Sequence, residues 1–583
     1  LYNVEQLEIL RGPNALLFGR GGTGGVINRV LKKGIIGSQF TEYQVTVDTF
    51  GAYGAQIDSN FGINEDSAFR INAFYEHLEN HRDHYDGERF GVNPTVKFLF
   101  GEKTTLDVSY EYNDNERFID RGIPTGDDGK PIESLDDVFF GDSELNESTF
   151  EAHVLRAALQ HRFSDELKGR LDLAYGDYDK YYANFYTANY DEADEEVTLD
   201  GYADTTERQT LTLSSGLIGE FETGEIEHTV IFGAEYVTTQ NDNDRFNPDF
   251  GASSLAGRSD QEVFKLSDIG DFSGGSGINA AGNSVTGNFT DLNDNTEADL
   301  NVISLYVQDE IALSENFDLI LGARFDRIDF DVDLLDAGGN VTDSRSQVDE
   351  EITPRLGFVF KPKEHISLYA SYSKSFLPQS GEQFASVGGN NIDLDPNEFT
   401  NLEAGIKWDF NNRMSMTAAI FELQQDAKDT DGAGNTFDIE TEINGFEAQF
   451  LGQITDSWFV SAGYSYLDGE IKEEDASVIG NRPRELPKHS FSVWNRYDFT
   501  EKLSLGLGVI YQDETYITSD NDTELPSYFR IDAAAYYQLS ENLRLQVNIE
   551  NLLDEDYYPH AHGDHQVTVG APIHARFAIT GRF

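Results

Sequence analysis

Apolar and polar residues alternate with a period of two along much of the chain. In residues 104–113 one face carries Leu106, Val108, Tyr110 and Tyr112, and the other carries Asp107, Ser109, Glu111 and Asn113. The same spacing recurs in residues 503–511, 529–539 and 543–549. An α-helix would scatter these positions around its circumference, so the pattern predicts β-strands. A soluble antiparallel sandwich also alternates in this way, and alternation alone does not separate it from a membrane barrel.

The connections between the predicted strands come in two kinds. Ten are short and polar, at residues 62–67, 101–104, 164–167, 222–225, 314–316, 361–364, 411–413, 455–457, 500–502 and 540–542. The hairpins between them have long acidic outer connections, as at residues 113–148, 239–298, 376–398 and 512–527. Ten turns separate eleven hairpins, which predicts 22 strands. Short turns at one rim and long loops at the other are typical of outer-membrane barrels, and 22 strands is a size associated with a plugged lumen. The sequence therefore predicts an all-β, 22-stranded antiparallel transmembrane β-barrel.

Composition narrows the class further. The chain has 105 acidic and 42 basic residues, a formal net charge of −63, which repels phosphate backbones and argues against nucleic-acid binding. It contains no cysteine, which argues against disulfides and thiolate metal sites. No stretch reaches the ~18 to 20 apolar residues of a membrane-spanning helix. Aromatic residues nevertheless make up 12% of the chain. This content fits a membrane barrel, whose strands alternate apolar and polar residues and so do not stand out in a hydropathy profile.

A glycine-rich stretch near the start raises a competing hypothesis. Gly19, Gly21 and Gly24 have the G-x-G-x-x-G spacing of a dinucleotide-binding turn. That turn needs a following helix and a second parallel strand. Here a β-branched run at residues 26–30 follows, and no crossover helix is predicted. The sequence therefore argues against nucleotide binding, and no nucleophile elbow or metal motif indicates an enzyme.

The two ends of the chain carry family-specific motifs. The stretch "VEQLEILRGPNALLFGRGGTGGVINRVLKK" resembles the last part of the plug domain of TonB-dependent outer-membrane receptors, and "NLLDEDYYPHAHGDHQVTVGAPIHARFAITGRF" resembles their C-terminus. The resemblance implies a C-terminal part of a plug at residues 1–36 and the barrel at residues 37–583. It also implies that a signal peptide, a TonB box and earlier plug strands precede Leu1 in the precursor.

Internal segments resemble the ferric-siderophore branch of this family. They are residues 120–131, 139–142, 175–186, 373–382 and 394–410, and Phe376-Leu377-Pro378 departs from the F-R-A-P motif of haem receptors. The resemblance implies a monomeric receptor in the outer membrane of a Gram-negative bacterium, surrounded by outer-membrane lipid. It would import a ferric siderophore, with a preference for catecholates over hydroxamates, and would be energised by the TonB–ExbB–ExbD complex. It needs no cofactor and no resident metal. A receptor for haem, cobalamin or another scarce nutrient is the alternative, and a passive porin is a further one, which the plug-like segment argues against.

Candidate ligand contacts cluster near the predicted outer mouth. Aromatic faces can hold flat ligand rings, and an arginine can pair with an anionic ferric chelate. The same tyrosines could instead belong to the aromatic girdle at the lipid interface. The candidate residues are Arg121, Tyr178, Tyr181, Tyr182, Phe185 and Tyr186.

Two structural roles follow from the resemblance. Plug arginines of siderophore receptors pair with glutamates of the barrel wall, which here implies Arg11 with Glu403 and Glu447. The alternative is that both glutamates are solvated carboxylates of a polar lumen. Phe577, Ile579 and Phe583 share one face of the last strand and resemble the terminal signal that the barrel-assembly machinery reads.

Weaker motifs have ordinary explanations. His560, His562 and His565 could bind a metal or haem, but no ligand spacing repeats elsewhere, which favours a solvated loop. The aspartate-rich runs at residues 241–244 and 291–295 could bind Ca²⁺ but lack the glycine and glutamate of an EF-hand loop. The triplet at residues 81–83 matches a kinase motif without kinase context.

Overall fold

A computed structural model describes residues 2–12, 16, 19–22, 24–251, 253–255, 257–380, 394–430, 436–474 and 476–583. Over these residues, 22 long strands form the wall of one closed barrel. They are β3 (Phe40–Asp48), β4 (Tyr53–Asn64), β5 (Ser67–Glu79), β6 (Asp86–Phe100), β7 (Thr104–Phe118), β8 (Glu147–Arg162), β9 (Leu167–Asp191), β10 (Glu196–Thr223), β11 (Ile226–Asp249), β15 (Asn288–Ser314), β16 (Phe317–Leu335), β17 (Val341–Lys363), β18 (Ile366–Leu377), β19 (Asn397–Asn411), β20 (Met414–Thr430), β21 (Thr436–Thr455), β22 (Trp458–Glu473), β23 (His489–Asp498), β24 (Leu503–Gln512), β27 (Tyr528–Ser540), β28 (Leu543–Glu550) and β31 (His574–Arg582).

The remaining elements are short. They are β1 (Val4–Arg11), β2 (Gly25–Leu31), β12 (Glu262–Lys265), β13 (Ser276–Ile278), β14 (Ser284–Thr286), β25 (Thr515–Tyr516), β26 (Glu524–Leu525), β29 (His560–Ala561), β30 (Val567–Thr568) and the 3₁₀ turns Glu133–Leu135 and Leu266–Asp271. Neither of these helical turns is long or apolar enough to span a bilayer.

The wall confirms the predicted barrel and strand number. Each wall strand pairs antiparallel with its neighbours, and the first closes onto the last through pairs such as Val45 with Ile579. All ten predicted tight turns fall between paired wall strands, at the rim opposite the long loops. The sequence pattern predicts the strand number and the turns correctly because each hairpin is a local structure.

The long connections are shorter than predicted because the strands continue past the membrane. β10 has 28 residues and β15 has 27, whereas about 9 to 11 tilted residues cross a bilayer. Both ends of the predicted loop at residues 239–298 belong to strands, since β11 runs to Asp249 and β15 starts at Asn288. Polar residues can occupy these extensions because inter-strand backbone hydrogen bonds hold the strands together, and a strand in water needs no lipid-facing apolar side chain.

The two faces of the wall differ as an outer-membrane barrel requires. On β9 the lipid-facing side chains Leu171, Leu173 and Tyr175 are exposed at the barrel surface. Arg170 and Asp172 alternate with them and bond to each other inside. Residue parity along β9 therefore assigns each side chain to the lumen or to the outside.

The described residues of the stretch 2–35, called here the lumenal segment, lie inside the barrel. Strands β1 and β2 form a separate antiparallel sheet, and the segment contacts wall strands on different sides of the ring. Lys32 pairs with Asp58 of β4 at 3.0 Å, whereas the amide of Gly21 donates to the carbonyl of Phe376 in β18 at 3.1 Å. The glycine-rich stretch thus joins antiparallel strands, which is incompatible with a dinucleotide-binding βαβ unit. That this segment belongs to a larger plug domain ending at residue 36 stays a prediction.

The long loops pack on one another above the wall. Ile123 and Val567, from loops more than 400 residues apart in sequence, form a β-bridge. Both are fully buried in one hydrophobic cluster that also contains Phe185, Phe272 and Ile517. These loop–loop contacts form a hydrophobic core at the extracellular end, and this core holds the side chains around the mouth in place.

Candidate functional site

Three of the predicted ligand contacts share the lumenal face of β9. Tyr178, Tyr182 and Tyr186 have the same parity as the lumenal Arg170 and Asp172. The β9–β10 register places Arg208 opposite Tyr178 and Asp204 opposite Tyr182. The ring of Tyr178 stacks on Phe150 of β8 at a centroid distance of 6.2 Å. A row of aromatic side chains therefore lines the lumen near the extracellular rim.

Arg121 joins this row from the loop after β7. Its Nη1 donates to the Tyr182 hydroxyl at 3.2 Å, and its guanidinium lies 5.8 Å from the centre of the Tyr186 ring. Nε and Nη2 both donate to Oε1 of Gln566, at 2.9 and 2.6 Å. No carboxylate among the described residues forms an ion pair with Arg121. The guanidinium is thus positioned by neutral groups.

Two further members of the cluster come from β10 and β11 and were not predicted. The Tyr202 ring stacks on Tyr182 at 5.8 Å and meets Tyr186 edge-on at 6.2 Å. The Arg245 guanidinium lies 4.6 Å from the Tyr202 ring and forms a bidentate pair with Asp204 at 2.7 and 2.8 Å. Parity along β10 would have placed Tyr202 in the lumen, but only the register between strands shows that it meets Tyr182.

Tyr181 and Phe185 do not belong to this cluster. Both have the opposite parity on β9, with the lipid-facing Tyr175. Phe185 is fully buried and packs on Phe272 and Phe289 under the loops. The prediction that these two side chains contact ligand is corrected, because period-two alternation turns them away from the lumen.

The C-terminal extracellular loop, residues 551–573, closes one side of the cluster. It supplies Gln566 to Arg121, and Tyr558 donates its hydroxyl to Asp136 at 2.9 Å. Burial raises the pKa of the Asp136 carboxyl and that of the Tyr558 phenol. Burial first, and then the nearby Arg121 charge, lower the pKa of His562. His562 is therefore neutral at pH 7 and adds no charge to the mouth.

The lumenal segment reaches the opposite wall through Arg11. Its Nη1 forms an ion pair with Glu447 of β21. Glu403 of β19 lines the same cavity of about 560 Å³, but its Oε1 accepts the hydroxyl of Tyr369 at 2.6 Å. The structure therefore brings Arg11 to one of its two predicted partners, while the second is held by a tyrosine that sequence reasoning missed.

Other contacts of the lumenal segment were also missed. Asn3 donates to Glu111 of β7 at 2.9 Å, and Lys33 pairs with Asp107 at 3.3 Å. Arg70 of β5 donates to the Lys33 carbonyl at 3.1 Å and to Asp58 at 2.7 and 2.8 Å. Parity places these wall carboxylates in the lumen, but it does not identify their partners.

A family profile described as TonB dependent receptor-like, beta-barrel, matches residues 91–552, well over half of the chain. The chain belongs to this family of TonB-dependent receptors. Its members sit in the outer membrane, and the family and the relatives below are transport receptors.

Three relatives of this receptor are named for siderophores or metal chelates. The chain is 28% identical to the probable TonB-dependent siderophore receptor PiuA of Acinetobacter baumannii over 100% of the chain and 82% of the relative. The metal-pseudopaline receptor CntO of Pseudomonas aeruginosa is 29% identical over 99% and 80%. The catecholate siderophore receptor Fiu of Escherichia coli is 25% identical over 95% and 78%. The crystal structure of PiuA superposes with a TM-score of 0.89 at 25% identity, covering all of this chain and 87% of that one.

The last strand of the receptor carries the predicted assembly residues on its outer face. Phe577, Ile579 and Phe583 are exposed, and the Phe583 ring stacks on Tyr43 across the closing seam at 6.0 Å. A Cβ on Gly581 would lie 2.6 Å from the same Tyr43 ring, which explains a glycine between apolar neighbours. Recognition by the assembly machinery stays a prediction.

The weaker motifs have structural roles in the receptor. His560 pairs with Glu485 at 2.5 Å, and over the described residues no group of three potential metal ligands converges, the acidic runs included. Arg82, in the kinase-like triplet, is buried and pairs with Asp120 at 2.5 Å. It also donates to the carbonyls of Asp136 and Val138, so it ties the β5–β6 loop to the next loop.

Proposed function

We propose that this receptor binds a ferric siderophore at the lumenal cluster of Arg121, Tyr178, Tyr182, Tyr186 and Tyr202 and imports it in a TonB-dependent manner. The arrangement of Arg121 carries the proposal. Its charge has no carboxylate partner among the described residues, and it contacts both the Tyr182 hydroxyl and the Tyr186 ring. Aromatic faces and a guanidinium without a carboxylate partner suit a ferric chelate with flat, anionic iron ligands.

The names of the relatives support the siderophore class. PiuA is named as a siderophore receptor and Fiu as a catecholate siderophore receptor, and both match nearly the whole chain. The lumenal segment, with its ion pair to Glu447, supports gated import over passive diffusion. Import then requires energy from the TonB–ExbB–ExbD complex, as in the family at large.

Binding is tested with the purified receptor and ⁵⁵Fe-labelled chelates. The variant Tyr182→Leu removes the ring that contacts both Arg121 and Tyr202, and we expect its affinity for the chelate to fall about tenfold. The adjacent Tyr181→Leu is the matched control, because its side chain faces away from the lumen. Equal losses in the two variants, or tighter binding of haem or cobalamin than of any ferric siderophore, would contradict the proposal.

Import is tested in cells that carry this receptor as their route for the labelled chelate. We expect accumulation of ⁵⁵Fe in cells with TonB and surface binding without accumulation in cells that lack it. Accumulation at the same rate in both strains would show a passive pore.

A further inference from the structure

Charged side chains at the extracellular ends of β6–β9 are sorted by face. The outward face, which continues the lipid-exposed rows of Phe90, Tyr110, Leu155 and Tyr175, carries only carboxylates among its charged groups apart from His153. These carboxylates are Asp86, Glu88, Asp114, Glu116, Glu147, Glu151, Asp177 and Asp179. The lumenal face of the same strand ends carries Arg89, Arg117 and Lys180. A protein with a net charge of −63 thus presents a local cationic surface to its lumen.

The three cations line one cavity of about 350 Å³. Its walls come from five neighbouring strands and the β5–β6 loop, and include Tyr85, Arg89, Asn115, Arg117, Phe150 and Lys180. The cavity adjoins the aromatic cluster, because Phe150 stacks on Tyr178 and the Lys180 ammonium lies 5.4 Å from the Tyr182 ring.

The positive charge of this cavity is largely uncompensated. Arg89 pairs with Glu76, but within the described part of the chain no carboxylate lies within ion-pair distance of Arg117 or Lys180. Two buried polar atoms of the lining, Nε of Arg89 and Oδ1 of Asn115, have no hydrogen-bond partner in the described protein. The Arg117 and Lys180 side chains are exposed in this open cavity, so an anion from solution can reach them and form charge-assisted hydrogen bonds.

We propose that this cavity is an anion subsite, which binds a negatively charged group of the chelate and makes the receptor select polyanionic ferric siderophores over neutral ones. The inference rests on the proposed function and specifies its substrate class. Long-range repulsion from the acidic protein disfavours any anion, so affinity for one has to come from close cations. Arg117 and Lys180 supply these charges, and Lys180 holds the anionic group next to the aromatic row.

The experiment compares two probes on the whole receptor in detergent. One is a trianionic ferric tris-catecholate, and the other is a neutral ferric tris-hydroxamate. The double variant Arg117→Gln/Lys180→Gln removes both unpaired charges. We expect its Kd for the trianionic chelate to rise tenfold or more, and its Kd for the neutral chelate to change less than twofold, at about 1.4 kcal/mol per tenfold change.

Two single variants are controls on the same strand. Asp179→Asn changes a charge next to Lys180 on the outward face, and Lys168→Gln removes a cation at the other end of β9. Both are expected to bind each chelate within twofold of wild type. Wild-type binding of the trianionic chelate should weaken with added salt more steeply than that of the double variant.

The outcomes separate the inference from the proposed function. Equal weakening of both chelates in the double variant, or no weakening, overturns the anion subsite while ferric-siderophore binding by the wild type stands. Failure of the wild type to bind either chelate overturns the proposed function instead. Heat-modifiable migration of each variant confirms that its barrel is folded.

Discussion

The two ends of the lumenal segment meet the barrel wall in different ways. At its base, Asp58 accepts Arg70 and Lys32, and the side chains of this trio are between 6% and 19% exposed. At its tip, the Arg11–Glu447 ion pair is more open to solvent, with the arginine side chain 54% exposed. A buried pair leaves an uncompensated charge when one partner is lost, whereas an exposed pair is readily replaced by water. The ion pair of Arg11 can therefore be broken at low cost, whereas the buried trio at the base cannot.

The largest expected effect comes from breaking the base. Asp58→Asn removes the carboxylate that Arg70 and Lys32 share, and we expect it to lower the opening free energy of β1 and β2 by about 3 to 5 kcal/mol. Hydrogen exchange of the backbone amides in residues 4–11 and 25–31 measures this free energy. Asp66→Asn, in an exposed turn of the same hairpin, is the control. An unchanged exchange rate in Asp58→Asn would show that the base is not an anchor.

A smaller effect is expected from crowding the base. A Cβ on Gly34 would lie 2.9 Å from the backbone carbonyl oxygen of Ala68 in β5. Gly34→Ala then forces the segment away from the wall, and we expect a loss of about 1 to 3 kcal/mol in the same exchange measurement. Gly24→Ala, near the tip, meets no atom within 4 Å and should change the free energy by less than about 0.5 kcal/mol. Similar losses in the two variants would remove the distinction between base and tip.

Breaking the ion pair at the tip should cost little stability but should open a path for ions through the lumen. Arg11→Ala removes one half-exposed ion pair, so we expect a loss of at most about 1 kcal/mol in the opening free energy. Ion conductance of the receptor in planar bilayers should nevertheless rise, because the segment no longer spans the lumen to β21. Arg413→Ala breaks a pair with Asp456 that does not touch the segment and whose arginine is also 54% exposed, and its conductance should stay at the wild-type level. A loss as large as that of Asp58→Asn would contradict the comparison.

The smallest effect is expected from salt. About 1 M salt shortens the screening length to about 3 Å, which weakens exposed charge pairs more than buried ones. Exchange near Arg11 should therefore accelerate slightly in the wild type, while exchange near Lys32 should not change. Equal acceleration at both ends would show that the base is as accessible to solvent as the tip.

The candidate site shows how far sequence reasoning can reach. Strand parity separates Tyr178, Tyr182 and Tyr186 from Tyr181 and Phe185, and it can be counted along a single strand. The five aromatic candidates of β9 are close in sequence, but parity divides them between the two faces of the strand. Tyr202 and Arg245 are on other strands, and only the inter-strand register brings them to Tyr182.

The sequence by itself determined the all-β class, the 22 wall strands and the asymmetry of the two rims. These features follow from alternation and turn composition, which act within a hairpin and are visible in a short window. Tertiary structure decided which charges meet. The cavity of Arg89, Arg117 and Lys180, the pairing of Arg11 with Glu447 and the burial of Phe185 all join residues from separate strands or loops. Closure of the barrel and packing of its loops create these contacts, because both depend on distances between segments that no local pattern encodes.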